Sequence, residues 1–138
     1  MNTNKIIHQL KKGKDLFKGA AVEFESYDED AGKLTLNVSK INNIPASLNI
    51  FFSSYQQALF IDYKPIGLSL PEDKFSSFNS VCNFFAVKKK ENEFVFFHAN
   101  YITDEKYIDI LLKQTLDYLT SEVFVELLED HCTSGLSL

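Results

Sequence analysis

Three histidines, two cysteines and a scatter of carboxylates are the residues here that could do chemistry. His8, His98 and His131 stand apart, with neither His-x-x-x-His nor Cys-x-x-Cys spacing, so no metal-ligating pattern is present. Cys132 follows His131, but neighbours at a helix end point about 100° apart. No metal or thiolate site is expected there. A nucleophilic Cys82 would need a histidine brought beside it in space. His98 alternates with Phe94 and Phe96 and so shares their strand face. Asp62 shares a side with Phe60. On a solvent-facing side it is ordinary surface, and on a buried side it would be a perturbed carboxylate. The solvent-facing case is the expectation. The five glycines are scattered and form no phosphate-cradling loop. No catalytic residue, cofactor or metal is therefore predicted, and the chain is not expected to be an enzyme.

The composition narrows the class further. A chain of 138 residues suits one domain and can bury a core without staples. The formal charge of −5 lacks the basic footprint of a nucleic-acid binder and does not suit anionic lipid. No apolar run approaches the length of a membrane span. The start, Met1-Asn-Thr-Asn-Lys-Ile-Ile-His8, lacks the apolar core of a signal peptide. The expected setting is the cytoplasm, where Cys82 and Cys132 stay as free thiols.

The elements that must position these residues centre on Ile102–Asp130, which no Gly or Pro interrupts. Thr103 is a suitable N-cap, and Asp104 and Glu105 suit the positive end of the helix dipole. Tyr107, Ile108, Leu111, Leu112, Leu116, Tyr118 and Leu119 recur at helical spacing. The pattern predicts a long amphipathic helix. After Ser121 the apolar side shifts: Val123, Phe124, Leu127 and Leu128 centre on the formerly polar side. Either the helix restarts at Thr120-Ser121 and folds back on the domain, or its end projects towards a partner.

Ahead of it, residues 3–18 predict a first helix with an Ile6-Ile7-Leu10-Phe17 stripe, weakened or ended at Gly13. Val22-Glu-Phe-Glu alternates, and Asp28–Gly32 reads as a turn. Leu34–Val38, Leu48–Phe52 and Ala58–Tyr63 are strands with short links, an antiparallel meander. Pro71–Cys82 predicts a short helix with Pro71 at its start and Glu72 and Asp73 in the first turn. Phe84–Val87 and Phe94–Ala99 predict a hairpin with a polar tip, Lys88–Asn92. The fold class is α+β: a mostly antiparallel sheet, meander plus hairpin, packed by an N-terminal helix, a short middle helix and a long C-terminal helix.

The chain carries 13 phenylalanines and no tryptophan, more apolar surface than this plan hides. Phe51-Phe52, Phe84-Phe85 and Phe96-Phe97 are predicted to point to opposite sheet faces. The long helix covers one face. The other is left for the first helix, a second protomer or a partner chain. The residues expected to meet a partner are Phe51, Phe60, Phe85, Phe96, Phe124 and Leu128.

The whole order resembles the type III secretion chaperone-like fold, shared with the YbjN-like family. The residues that carry the likeness are the Asp28–Gly32 turn before Leu34–Val38 and the short helix running into Asn83. With them goes the Phe94–Ala99 strand, followed by Ile102-Thr-Asp-Glu and then Ile108, Leu111 and Leu112. The lysine-rich hairpin tip and the strand at Val22–Phe24 depart from the family pattern. The resemblance implies a single domain over 1–138 with no enzyme activity, a cytoplasmic homodimer that holds an extended client segment on apolar patches. Two other classes stay open on the residues alone. One is a ligand-binding or enzymatic domain with a pocket between sheet and long helix, into which Asp62, His98 or Tyr63 would point. The other is an immunity-type inhibitor that binds one enzyme through its acidic surface.

Overall fold

The computed structural model describes residues 3–17, 22–30, 33–91 and 93–134. Helix α1 (Thr3–Gly13) tightens into a 3-10 turn, Lys14–Phe17. Strands β1 (Val22–Asp30), β2 (Lys33–Ile41), β3 (Ala46–Ser53) and β4 (Ala58–Pro65) follow. A short strand β5 (Leu68–Ser69) and a 3-10 turn (Glu72–Lys74) lead into α2 (Phe75–Val81). The hairpin β6 (Ala86–Lys90) and β7 (Glu93–Tyr101) precedes α3 (Tyr107–Leu119) and α4 (Glu122–His131). A final strand β8 (Thr133–Ser134) pairs with β5. The main sheet has six antiparallel strands in the order β1-β2-β3-β4-β7-β6. The class is α+β.

Alternation along the strands decides the two faces. Leu48, Ile50 and Phe52 of β3 pair with Tyr63, Ile61 and Leu59 of β4, and all six are buried. On β7, Phe96 continues this inner face opposite Tyr63. Ile6 and Leu10 of α1, Phe78 of α2, Ile108, Leu111, Leu112 and Leu119 of α3, and Phe124 and Leu128 of α4 join them in one buried cluster. Each such Leu, Ile or Phe adds about 1.5–3 kcal/mol by leaving water. The four α-helices therefore all serve the inner face, α1 included. Among the described residues no helix covers the outer one.

The link between β2 and β3 shows how local chemistry fixes the sheet to the helices. Asn42 (φ 54°) and Asn43 (φ 63°) take the left-handed conformation that a two-residue hairpin requires, which asparagine tolerates. Ile41 N–H donates to Ile44 O at 2.9 Å, and Ile44 N–H to Ile41 O at 3.0 Å. The Asn42 amide then donates to Leu119 O at 3.1 Å, satisfying a carbonyl at the end of α3.

The structure decides between the two readings of the C-terminal stretch and corrects four other expectations. That stretch is two helices, α3 and α4. Thr120 Oγ1 donates to Leu116 O at 2.8 Å and Ser121 Oγ to Tyr118 O at 2.6 Å, which closes α3. Ser121, extended at φ −77° and ψ 150°, then accepts from Phe124 N–H at 3.2 Å as the N-cap of α4. The helix restarts and folds back, which explains the shift of its apolar side. The start also moves, from Thr103 to Tyr107. Asp104 bends the entry, with Oδ1 accepting from Lys106 N–H and its carbonyl from Tyr107 N–H, both at 3.0 Å.

The expected turn at Asp28–Gly32 is strand as far as Asp30, because Asp28, Glu29 and Asp30 pair with Thr35, Leu34 and Lys33. Residues 31 and 32 lie outside the described ones. Lys88, Lys89 and Lys90 are likewise not a hairpin tip but an edge strand, since Lys90 pairs with Glu93. Finally, Phe84 and Phe85 precede β6 rather than belong to it, so strand alternation does not separate them. Their rings meet edge to face at 4.9 Å, both on the inner side.

Candidate functional site

Six residues were expected to meet a partner, and the fold divides them. Phe85, Phe96, Phe124 and Leu128 are 2%, 0%, 1% and 2% exposed. The three rings surround Tyr63 at centroid distances of 6.2, 6.1 and 5.6 Å. Their surface is consumed by the core, so they are removed from the binding site. The physical reason is the helix break at Ser121, which aims Phe124 and Leu128 at the sheet.

Phe51 and Phe60 lie on the outer face, opposite one another on β3 and β4. Both are half-buried, and their rings stack at 5.0 Å with 17° between planes. Phe97 shares this face, with Lys88 Nζ 4.5 Å from its ring centroid. Asp62 also lies on the outer side, as expected, but its side chain is only 14% exposed, 3.7 Å from Lys90. Lys64 and Glu93 pair beside it. A groove of about 390 Å³ runs from Phe60 past Ala58 and Ala99 to Tyr101. Tyr101, 78% exposed, also lines a second groove of about 360 Å³ with Tyr107 and Ile110 of α3. The apolar surface is thus continuous from the sheet to the start of α3.

The groups with possible chemistry are dispersed. His98 faces inward as its alternation predicts, with Nδ1–H donating to Phe84 O at 2.8 Å and its ring 4.0 Å above that of Phe84. A carbonyl only accepts, so Nδ1 carries the proton. His131 is held by Leu127 O at 2.9 Å and by the edge of Phe78 at 5.5 Å, so it does not serve Cys132. Burial raises the Cys132 thiol to about 11, against a smaller opposing effect of Lys74. Cys82 Sγ lies 3.2 Å from Tyr118 Oη. Burial, and then that contact with Cys82, raises the Tyr118 hydroxyl. Burial also raises the Tyr63 hydroxyl, with Cys132 adding to it. Both cysteines are free. Among the described residues no three His, Cys, Asp or Glu side chains gather as a metal site.

Phe97, Ala99, Tyr101, Tyr107 and Ile110 belong to this surface but were not among the residues expected to meet a partner. A signal existed for the sheet residues. Leu48-Ile50-Phe52 and Leu59-Ile61-Tyr63 are uniformly apolar, whereas Phe51 and Phe60 share their sides with Asn49 and Asp62. The mixed side is the one turned to solvent. No protein-family model, curated protein or solved structure matches the chain. No helix among the described residues is long and apolar enough to cross a membrane.

Proposed function

We propose that this chain is a non-enzymatic protein-binding module that docks a partner on its outer sheet face. The observation that carries the reading is the Phe51–Phe60 stack, half-buried on a face that no described helix covers. Phe97, Ala99 and Tyr101 extend it to one side. Exposed aromatic surface rimmed by charge is the usual make-up of a protein-docking site. A cytoplasmic, client-holding role rests on the resemblance to the secretion-chaperone fold.

The sheet edges favour binding by the face over strand addition. The edge strand β6 carries Lys88, Lys89 and Lys90. The opposite edge, β1, is acidic and has irregular register around Phe24. Charges and bulges are the devices that block edge pairing. A ligand pocket between the sheet and α3 or α4 is disfavoured, because Tyr63, Phe85, Phe96 and Phe124 fill that space.

A photoreactive phenylalanine analogue tests the reading. It is placed at Ala99 on the outer face, with Val123, exposed on α4, as the control. In cells that make the protein, illumination is expected to yield a protein adduct from position 99 and not from 123. Adducts from 123 alone, or from neither, overturn the proposal.

A further inference from the structure

The main sheet splits between the end of β4 and the start of β7, and the split follows from one proline. Ile66 N–H donates to Pro45 O at 2.7 Å, on the β3 side of β4. Ile102 N–H donates to Gln57 O at 2.9 Å, on the β7 side. In an antiparallel ladder successive residues turn their backbone groups to opposite neighbours. Lys64 and Ile66 therefore face β3, whereas Tyr63 and Pro65 face β7. By the same alternation Phe94 and Phe96 of β7 face β4. The register would set Pro65 against Phe94, two positions beyond the Tyr63–Phe96 pair. Pairing stops at that pair instead, although β4 runs to Pro65 and β7 starts at Glu93. Proline has no N–H to donate, so the ladder does not continue there.

A groove of about 460 Å³ opens at the split, within the range of roughly 300–1,000 Å³ usual for ligand pockets. The N–H and C=O of Phe94 and the C=O of Pro65 are turned towards it. Leu68, Leu70, Phe75 and Phe94 supply apolar walls. On the outer side Lys64 pairs with Glu93 across the gap. On the inner rim Lys89 Nζ lies 2.9 Å from Glu72 Oε1. Each of the two cations is thus answered by a carboxylate, which leaves the site close to neutral.

From these observations we infer that the split binds a single secondary amide carrying an apolar side chain, a ligand of the N-acyl amino-acid amide type. Its N–H donates to Phe94 O and its C=O accepts from Phe94 N–H, the exchange that Pro65 cannot make. Residues opposite one another in a ladder put their side chains on the same face. The ligand's side chain therefore falls beside Phe94, against Leu68 and Phe75. Glu93 turns its backbone to Lys90 of β6, and the chain reverses at Glu91 (φ 59°). Phe94 alone is left to pair, so the site holds one amide unit and offers no run of pairs to an extended chain. A charged ligand would lose its hydration without a free counter-charge, so the ligand is neutral. The groove lies on the inner side of the sheet and does not depend on the docking face.

Nuclear magnetic resonance on the full chain, with N-acetyl-leucine N-methylamide as the probe, tests this. In the free protein the Phe94 amide is expected to exchange with solvent on the order of 100-fold faster than that of Phe96. The probe is expected to bind saturably at about 1 mM or tighter, shifting the Phe94, Leu68 and Phe75 signals. Its analogue methylated on the leucine nitrogen lacks the donor and is expected to bind at least about tenfold more weakly. Pro65→Ala restores an N–H that closes the ladder, so Phe94 exchange is expected to slow and binding to weaken about tenfold. Circular dichroism checks folding, and the methylated analogue carries the test if that variant does not fold. A Phe94 amide as protected as that of Phe96, no binding, or equal binding of the methylated analogue overturns the inference. So does undiminished binding by folded Pro65→Ala. An end-blocked pentapeptide of alternating serine and leucine separates a lone amide from a chain segment. If it binds more than about tenfold tighter than the probe, the occupant is an extended chain and the single-unit site is overturned. The adduct from position 99 reports the outer face alone, so the two proposals fail separately.

Discussion

Gly13, the last residue of α1, sits against Leu112 of α3 so closely that a methyl group in place of its hydrogen would overlap Leu112 Cδ1. Both residues are buried, so the leucine has little room to yield. The glycine is thus a close-approach residue between the two helices as well as the end of α1. Gln9 Nε2, one turn earlier, donates to Asp109 Oδ2 at 2.6 Å and fixes the same helix pair.

Gly13→Ala is expected to destabilise the chain by about 1–3 kcal/mol through overpacking, measured by urea unfolding. Alanine by itself favours helix over glycine by about 1 kcal/mol. In a Leu112→Ala background, where the overlap is gone, the same substitution is expected to be neutral or stabilising. A loss of equal size in both backgrounds would contradict the packing account.

Ser121→Ala is expected to cost about 0.5–2 kcal/mol, because the Phe124 amide loses its acceptor. Ser121→Asp keeps a capping oxygen and is expected to lie nearer the wild type. If alanine and aspartate variants unfold alike, the hydroxyl is not what restarts α4.

Phe124 and Phe60 were equivalent candidates in the sequence and are opposites in the fold. Phe124→Ala empties a site ringed by Tyr63, Phe85 and Phe96 and is expected to cost about 3–5 kcal/mol. Phe60→Ser, on the outer face, is expected to change the stability of the single chain by less than about 1.5 kcal/mol while weakening partner binding. Denaturation and the yield of the position-99 adduct are expected to give opposite patterns for the two variants.

Alkali should weaken the fold. The Cys132 thiol rises on folding from 9.0 to about 11, so the folded chain keeps its proton where the unfolded chain has lost it. The stability that this supplies is fully present below pH 9.0 and is lost as pH climbs towards about 11. The raised Tyr63 and Tyr118 hydroxyls extend the loss in the same direction. Unfolding free energy followed by fluorescence across that range should fall, and Cys132→Ala should flatten the first part of the decline.

Much of this was legible in the sequence, because strand alternation and helix capping are local properties. Leu48-Ile50-Phe52 and Leu59-Ile61-Tyr63 declare an inner face, and Thr120-Ser121 marks the change of helix. The α+β order follows from them. What the period of two cannot state is whether a helix also covers the mixed face, since it fixes the sides of a strand and not what packs on them. That was decided by α1, α2, α3 and α4 all packing on the inner side, a long-range outcome. It sent Phe85, Phe96, Phe124 and Leu128 into the core and left Phe51 and Phe60 outside. The charge contrast between Val22–Asp30 and Ala86–Lys90 was likewise written in the residues. Only the strand order β1-β2-β3-β4-β7-β6 sets those segments at opposite edges of one face, because hydrogen bonding between distant strands fixes where each edge lies.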